Sequence, residues 1–153
     1  MLNSSLSYII VRSFPECILM TLASYILMNI KLDFKDILKN SILYLGVLTF
    51  IRTLPISFGI HTILGMFVLG TILYKIKKQD IILTIITIAK MFACLGISEG
   101  IYMCVINTIL QVPLEKIIDN TSVESALLTL PSLLIFIFLV IILKILTNKI
   151  GKK

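Results

Sequence analysis

From Leu133 to Leu143 the chain carries no polar side chain at all. Four further stretches are nearly as apolar, and each has about the length, roughly twenty residues, that a helix needs to cross a bilayer. Lipid offers no hydrogen-bond partner to an open backbone, so a spanning chain must be helical or a closed barrel. Barrel strands are short and alternate in polarity, and these runs do neither. The richness in Ile, which alone favours strands, is overridden by that constraint. The expected fold class is therefore an all-α polytopic membrane helix bundle, one domain over 1–153. Its transmembrane helices are expected at about 8–30, 37–55, 58–76, 81–108 and 125–147.

Only 14% of the residues are charged and 58% are hydrophobic, against roughly 25% charged in an average soluble domain. With a mean hydropathy of +1.08, too little polar surface exists to cover a water-soluble globule. The net charge of +6 does not point to nucleic acid, because the lysines cluster at the ends of apolar runs, where they meet headgroups or cytoplasm. Lys31, Lys35 and Lys39 surround the first connection, Arg52 alone the second, and Lys75, Lys77 and Lys78 the third. In the fourth, Lys116 stands against Glu115, Asp119 and Glu124; Lys144, Lys149, Lys152 and Lys153 mark the tail. Lysine-rich and lysine-poor connections alternate, which places the amino terminus outside and the carboxyl terminus inside a plasma membrane. No cleavable signal peptide is expected: the first seven residues hold no basic side chain, Arg12 and Glu16 interrupt the first apolar run, and no A-x-A site follows.

The fourth span is longer than one crossing needs, so it must tilt, bend or protrude. Pro113–Asp119 reads as a short interfacial helix with proline at its first position. Thr121 and Glu124 have capping-box spacing at the head of the fifth span, and Pro131 falls in its first turns as a mild kink or an alternative start. Asn120-Thr121-Ser122 matches a glycosylation sequon, a common chance match.

Ionisable residues inside spans are costly, so each is a candidate for function. Arg12 and Glu16 are four apart and share a face of the first helix. Arg52 and His61, the only histidine, flank a tight hairpin around Pro55 on which the chain is expected to be organised. Glu99 lies in the fourth span. In the expected topology Arg12, Glu16, Arg52, His61 and Glu99 all fall in the outer half, as an outward-facing polar site or as charges that neutralise each other and meet headgroups. Glu99 is expected to reach Arg12 or Arg52, with His61 at the mouth. Lys90 alone sits nearer mid-depth. Ala89, Ala93, Gly96 and Gly100 trace one face of the same helix, a small-residue stripe suited to close packing inside the bundle or to a homodimer. Cys17, Cys94 and Cys104 show no CxxC or Cys/His spacing, so buried free thiols are expected and no metal site. A thiol peptidase is disfavoured because no cysteine neighbours His61 in sequence.

The run Ile51–Thr62, together with Ile97-Ser98-Glu99-Gly100 and the Pro131-containing fifth span, resembles the membrane sensor halves of bacterial GHKL-type sensor histidine kinases of the accessory-gene-regulator style. The resemblance covers nearly the whole chain on short motifs. It departs in that such kinases continue into a dimerisation helix and an ATP-binding domain, whereas this sequence ends at Lys153. It implies a sensor-like or accessory signalling bundle without enzymatic activity, catalytic residues or cofactor, receiving a peptide signal or a partner membrane protein. A small solute transporter, or the substrate-binding membrane subunit of one, is the alternative, and a purely structural subunit is a third class.

Overall fold

The structure, a computed structural model, describes residues 9–54, 58–77, 80–110 and 123–150. Every regular element among them is helical. A π-helical turn, Ile9–Ser13, leads into α1 (Phe14–Leu27); α2 (Phe34–Thr53), α3 (Phe58–Lys77) and α4 (Ile81–Val105) follow. A second π-helical turn, Ile106–Leu110, extends α4, and α5 (Val123–Thr129) and α6 (Pro131–Ile150) complete the fold. The interfacial helix and sequon expected in the fourth connection lie outside the described residues, as do Thr121 of the capping box and the hairpin tip at Pro55.

Local chemistry explains the boundaries. Pro15 has no N–H, so the ladder before it cannot close in the ordinary register, and the preceding turn is widened. Asn29, at φ 54°, ends α1: Ile30 N–H reaches Tyr25 carbonyl at 2.9 Å and Asn29 N–H reaches Ile26 carbonyl at 3.3 Å, a Schellman closure. Asp33 and Asp80 cap α2 and α4 by accepting from Lys35 N–H and Ile82 N–H at 3.0 and 3.2 Å. The Asp33 cap carries α2 three residues further toward the first connection than the apolar pattern suggested, through Lys35, Asp36 and Lys39.

Among the described residues, three helices are long and apolar enough to cross a membrane: Ile9–Leu27, Ile81–Thr108 and Glu124–Lys149. The charged first turns of α2 keep it out of that set, and α3 contributes the shorter apolar helix Ile60–Lys75.

Helix α1, not the α2–α3 hairpin, is the hub. It packs on α2, α4 and α6; α4 lies along α6, and α3 bridges α2 and α4. Successive long helices run antiparallel. Tyr25 of α1 meets Asn40 near the start of α2 at 3.0 Å, and Ser24 Oγ meets Met91 Sδ of α4 at 3.1 Å. Helices α1 and α6 run parallel, since Arg12 contacts Ser132 at one end while Lys144 Nζ contacts Asn29 Oδ1 at 2.6 Å at the other.

The burial pattern is that of a protein whose solvent is lipid. Met20, Tyr25, Tyr44, Leu69, Leu73, Met91 and Phe136 fill the interior beside buried Thr21, Ser24, Ser41, Thr87 and Ser98. Phe67 is 70% exposed and Leu134 74% exposed. Interior hydroxyls satisfy themselves on carbonyls of the preceding turn, as Ser24 does on Met20 and Ser41 on Ile37, at 2.8 and 2.7 Å. Water would penalise such an apolar exterior; hydrocarbon does not.

The small-residue stripe corrects the expectation of packing inside the bundle. Ala89, Ala93, Gly96 and Gly100 all face outward, and a Cβ added at Gly96 or Gly100 would meet nothing within 4 Å. Close helix approach occurs instead at Gly70, where a Cβ would come within 2.9 Å of Ile88 Cδ1, and at Gly65, 3.1 Å from Leu48 Cδ2.

Candidate functional site

The polar side chains of the bundle converge on Arg12, which is only 5% exposed. Its Nη2 donates to Glu99 Oε1 at 2.7 Å and its Nε lies 3.7 Å from Glu16 Oε2. Its Nη1 donates to Ser132 Oγ at 3.0 Å and to the carbonyl of Thr129. One guanidinium thus ties the start of α1 to α4 and to the α5–α6 junction. Its planar fork suits this role, offering donors in several fixed directions where a lysine offers one point charge.

The junction explains why a carbonyl is free to accept. Pro131 has no N–H to give Leu127. The ladder instead tightens there, with Leu130 N–H on Leu127 carbonyl at 3.3 Å and Leu133 N–H on Leu130 carbonyl at 3.0 Å. Thr129 carbonyl loses its helical donor to that shift, and Arg12 and the Ser132 hydroxyl, at 2.8 Å, replace it. One residue earlier, Leu128 carbonyl accepts from the Tyr102 hydroxyl of α4. A break that would strand carbonyls in lipid is closed by side chains from two other helices.

Arg12, Glu16 and Glu99 are therefore brought together, and Arg12 rather than Arg52 is the cation that Glu99 contacts. Arg52 joins at one remove: its Nη1 donates to Ser13 Oγ at 2.8 Å, beside Arg12 in the chain. Two arginines and two glutamates balance the formal charge of the cluster. That neutrality lets it exist at low dielectric. Glu99 is the open member, its side chain 39% exposed while that of Arg12 is 6%. His61 is half-buried at the start of α3, and its Nδ1 is buried without a hydrogen-bond partner among the described residues.

Other expected positions fall elsewhere. Lys90 is exposed on α4. Cys17 and Cys94 are buried thiols, but Cys104 is exposed, because it lies on the outward side of α4 beyond Gly100. Among the described residues no three His, Cys, Asp or Glu side chains gather as a metal site would require. Ser13, Tyr102, Thr129 and Ser132 were not singled out from sequence. The available signal was Pro131: a proline inside a lipid-embedded helix frees carbonyls that must find donors on neighbouring helices.

No protein-family model, curated protein or solved structure matches this chain.

Proposed function

We propose that the chain is a five-pass membrane protein, amino terminus outside, acting without catalysis as a sensor-like or accessory signalling bundle. Its outer polar centre is Arg12, Glu16, Arg52, His61 and Glu99, and its input is a peptide or partner protein presenting a cationic group. One observation carries the reading: Glu99 is both the partner of a buried arginine and itself open at the bundle surface. An amine or guanidinium arriving at Glu99 would compete with Arg12 for the same carboxylate. Arg12 would then loosen from α4 while staying bonded at the α5–α6 break, and α6 ends at the opposite face of the bundle. The resemblance to sensor halves implies the same kind of role.

The transporter alternative has less support. Mid-depth is filled by Met20, Tyr44, Met91 and Phe136, and Lys90, the charged residue nearest mid-depth, faces outward.

The test uses the purified chain in detergent and in proteoliposomes. Basic peptide fractions from conditioned medium should raise the melting temperature of the wild type, and Glu99→Gln should abolish the shift. Accumulation of solute in proteoliposomes would refute the signalling reading in favour of transport. Fractions that shift wild type and Glu99→Gln equally would remove Glu99 from the site.

A further inference from the structure

Between α2 and α3 lies a groove of about 470 Å³ that takes no part in the Arg12 network. That volume is within the roughly 300–1,000 Å³ span of small-molecule sites. Its walls are Leu43, Phe67, Val68, Ile72 and Thr71, whose hydroxyl is turned onto the Phe67 carbonyl at 2.9 Å, and Asn40 and Lys75 stand at its lysine-rich end. Leu43 and Phe67 are exposed, so the groove opens sideways where lipid would lie.

The polar and apolar parts are separated along the bundle axis. Asn40 is six residues from the start of α2 and Lys75 two from the end of α3, within about 9 Å of that face at about 1.5 Å per residue. Leu43 and Phe67 lie deeper. Lys75 has no ion pair among the described residues. The Asn40 amide donates to the Tyr25 hydroxyl at 3.0 Å, which fixes its orientation and leaves a second amide hydrogen to donate. Asp36, one turn nearer the start of α2, is exposed and does not line the groove.

We infer that this groove holds one anionic phospholipid. Its phosphate lies against Lys75 and Asn40, and one acyl chain runs along Leu43, Phe67, Val68 and Ile72. A phosphate at headgroup level above an aliphatic chain parallel to the helices has the same polarity order as the groove. A second ammonium in the headgroup, as in a zwitterionic lipid, would face Lys75 with like charge. The inference rests on the membrane setting and not on any signal at the Arg12 centre, so either can fail alone.

Native mass spectrometry of the chain, extracted in uncharged detergent and given equimolar phosphatidylglycerol and phosphatidylcholine, tests it. One phosphatidylglycerol per chain should be retained, preferred by about fivefold, the effect of one lysine at a headgroup. Lys75→Gln should erase the preference, Val68→Trp should expel lipid of both kinds, and Lys149→Gln, on α6, should change neither. Equal retention of the two lipids means annular lipid only and overturns the assignment. So does a preference that survives Lys75→Gln, or one lost as much with Lys149→Gln as with Lys75→Gln. Helix content by circular dichroism verifies folding, and should Val68→Trp fail to fold, the two lysine variants still decide the outcome.

Discussion

Replacing Arg12 by Gln removes at one stroke the ion pair to Glu99, the contact with Glu16, and the donor to Thr129 carbonyl and Ser132. Breaking a buried pair typically costs about 3–5 kcal/mol, because the remaining charge is stranded. Glu99 is partly open and can be solvated, which places Arg12→Gln near the lower end, about 3 kcal/mol. Glu99→Gln keeps an acceptor in place and loses only the charge assistance of one hydrogen bond. After discounting for exposure that is about 1 kcal/mol. The double variant should lose less than the sum by about 1 kcal/mol, since the Glu99 penalty exists only while Arg12 is present. Arg12→Lys should fall between wild type and Arg12→Gln, because one ammonium cannot serve α4 and the α5–α6 break together. The assay is reversible denaturation in mild detergent, followed by circular dichroism at 222 nm, a wavelength of about the usual helix minimum. Strict additivity of the two single variants, within the roughly 0.3–0.5 kcal/mol scatter of independent sites, would refute the coupled network.

Pro131→Ala restores an N–H to the α5–α6 junction, so Thr129 carbonyl should regain a helical donor; Arg12→Gln should then cost less in that background, read from the same denaturation curves. Gly96→Leu should leave stability within about 0.5 kcal/mol, as an outward-facing surface change does, whereas Gly70→Val should cost about 1–3 kcal/mol by pressing on Ile88. A large loss at Gly96, with a change of particle size in detergent, would show that a second protein covers that face. In a background lacking Cys17, Cys94 and Cys104, a membrane-impermeant thiol reagent applied to intact cells should label Leu54→Cys and Glu124→Cys. It should spare Asp80→Cys and Lys149→Cys, and external labelling at either of those would overturn the five-span topology.

The run Leu133–Leu143 and its counterparts settle helix against strand, because a lipid-facing backbone must satisfy itself within its own segment. The charged residues are equally legible as exceptional, since any ionisable group in such a segment needs a partner; Arg12, Glu16 and Glu99 are such groups, and they meet in the structure. Which arginine Glu99 reaches depended on how helices pack around α1, and no local pattern encodes that. The stripe of Ala89, Ala93, Gly96 and Gly100 shows the limit most plainly. Its period predicts one face of a helix, but small residues suit a tight interface and lipid exposure alike, and hydrocarbon gives no hydrophobic penalty to decide between them. In water, the burial of apolar area would have oriented α4 from its sequence. In a bilayer, the orientation was decided by polar contacts between distant residues: Glu99 on Arg12, Tyr102 on the carbonyl of Leu128, and Met91 against Ser24.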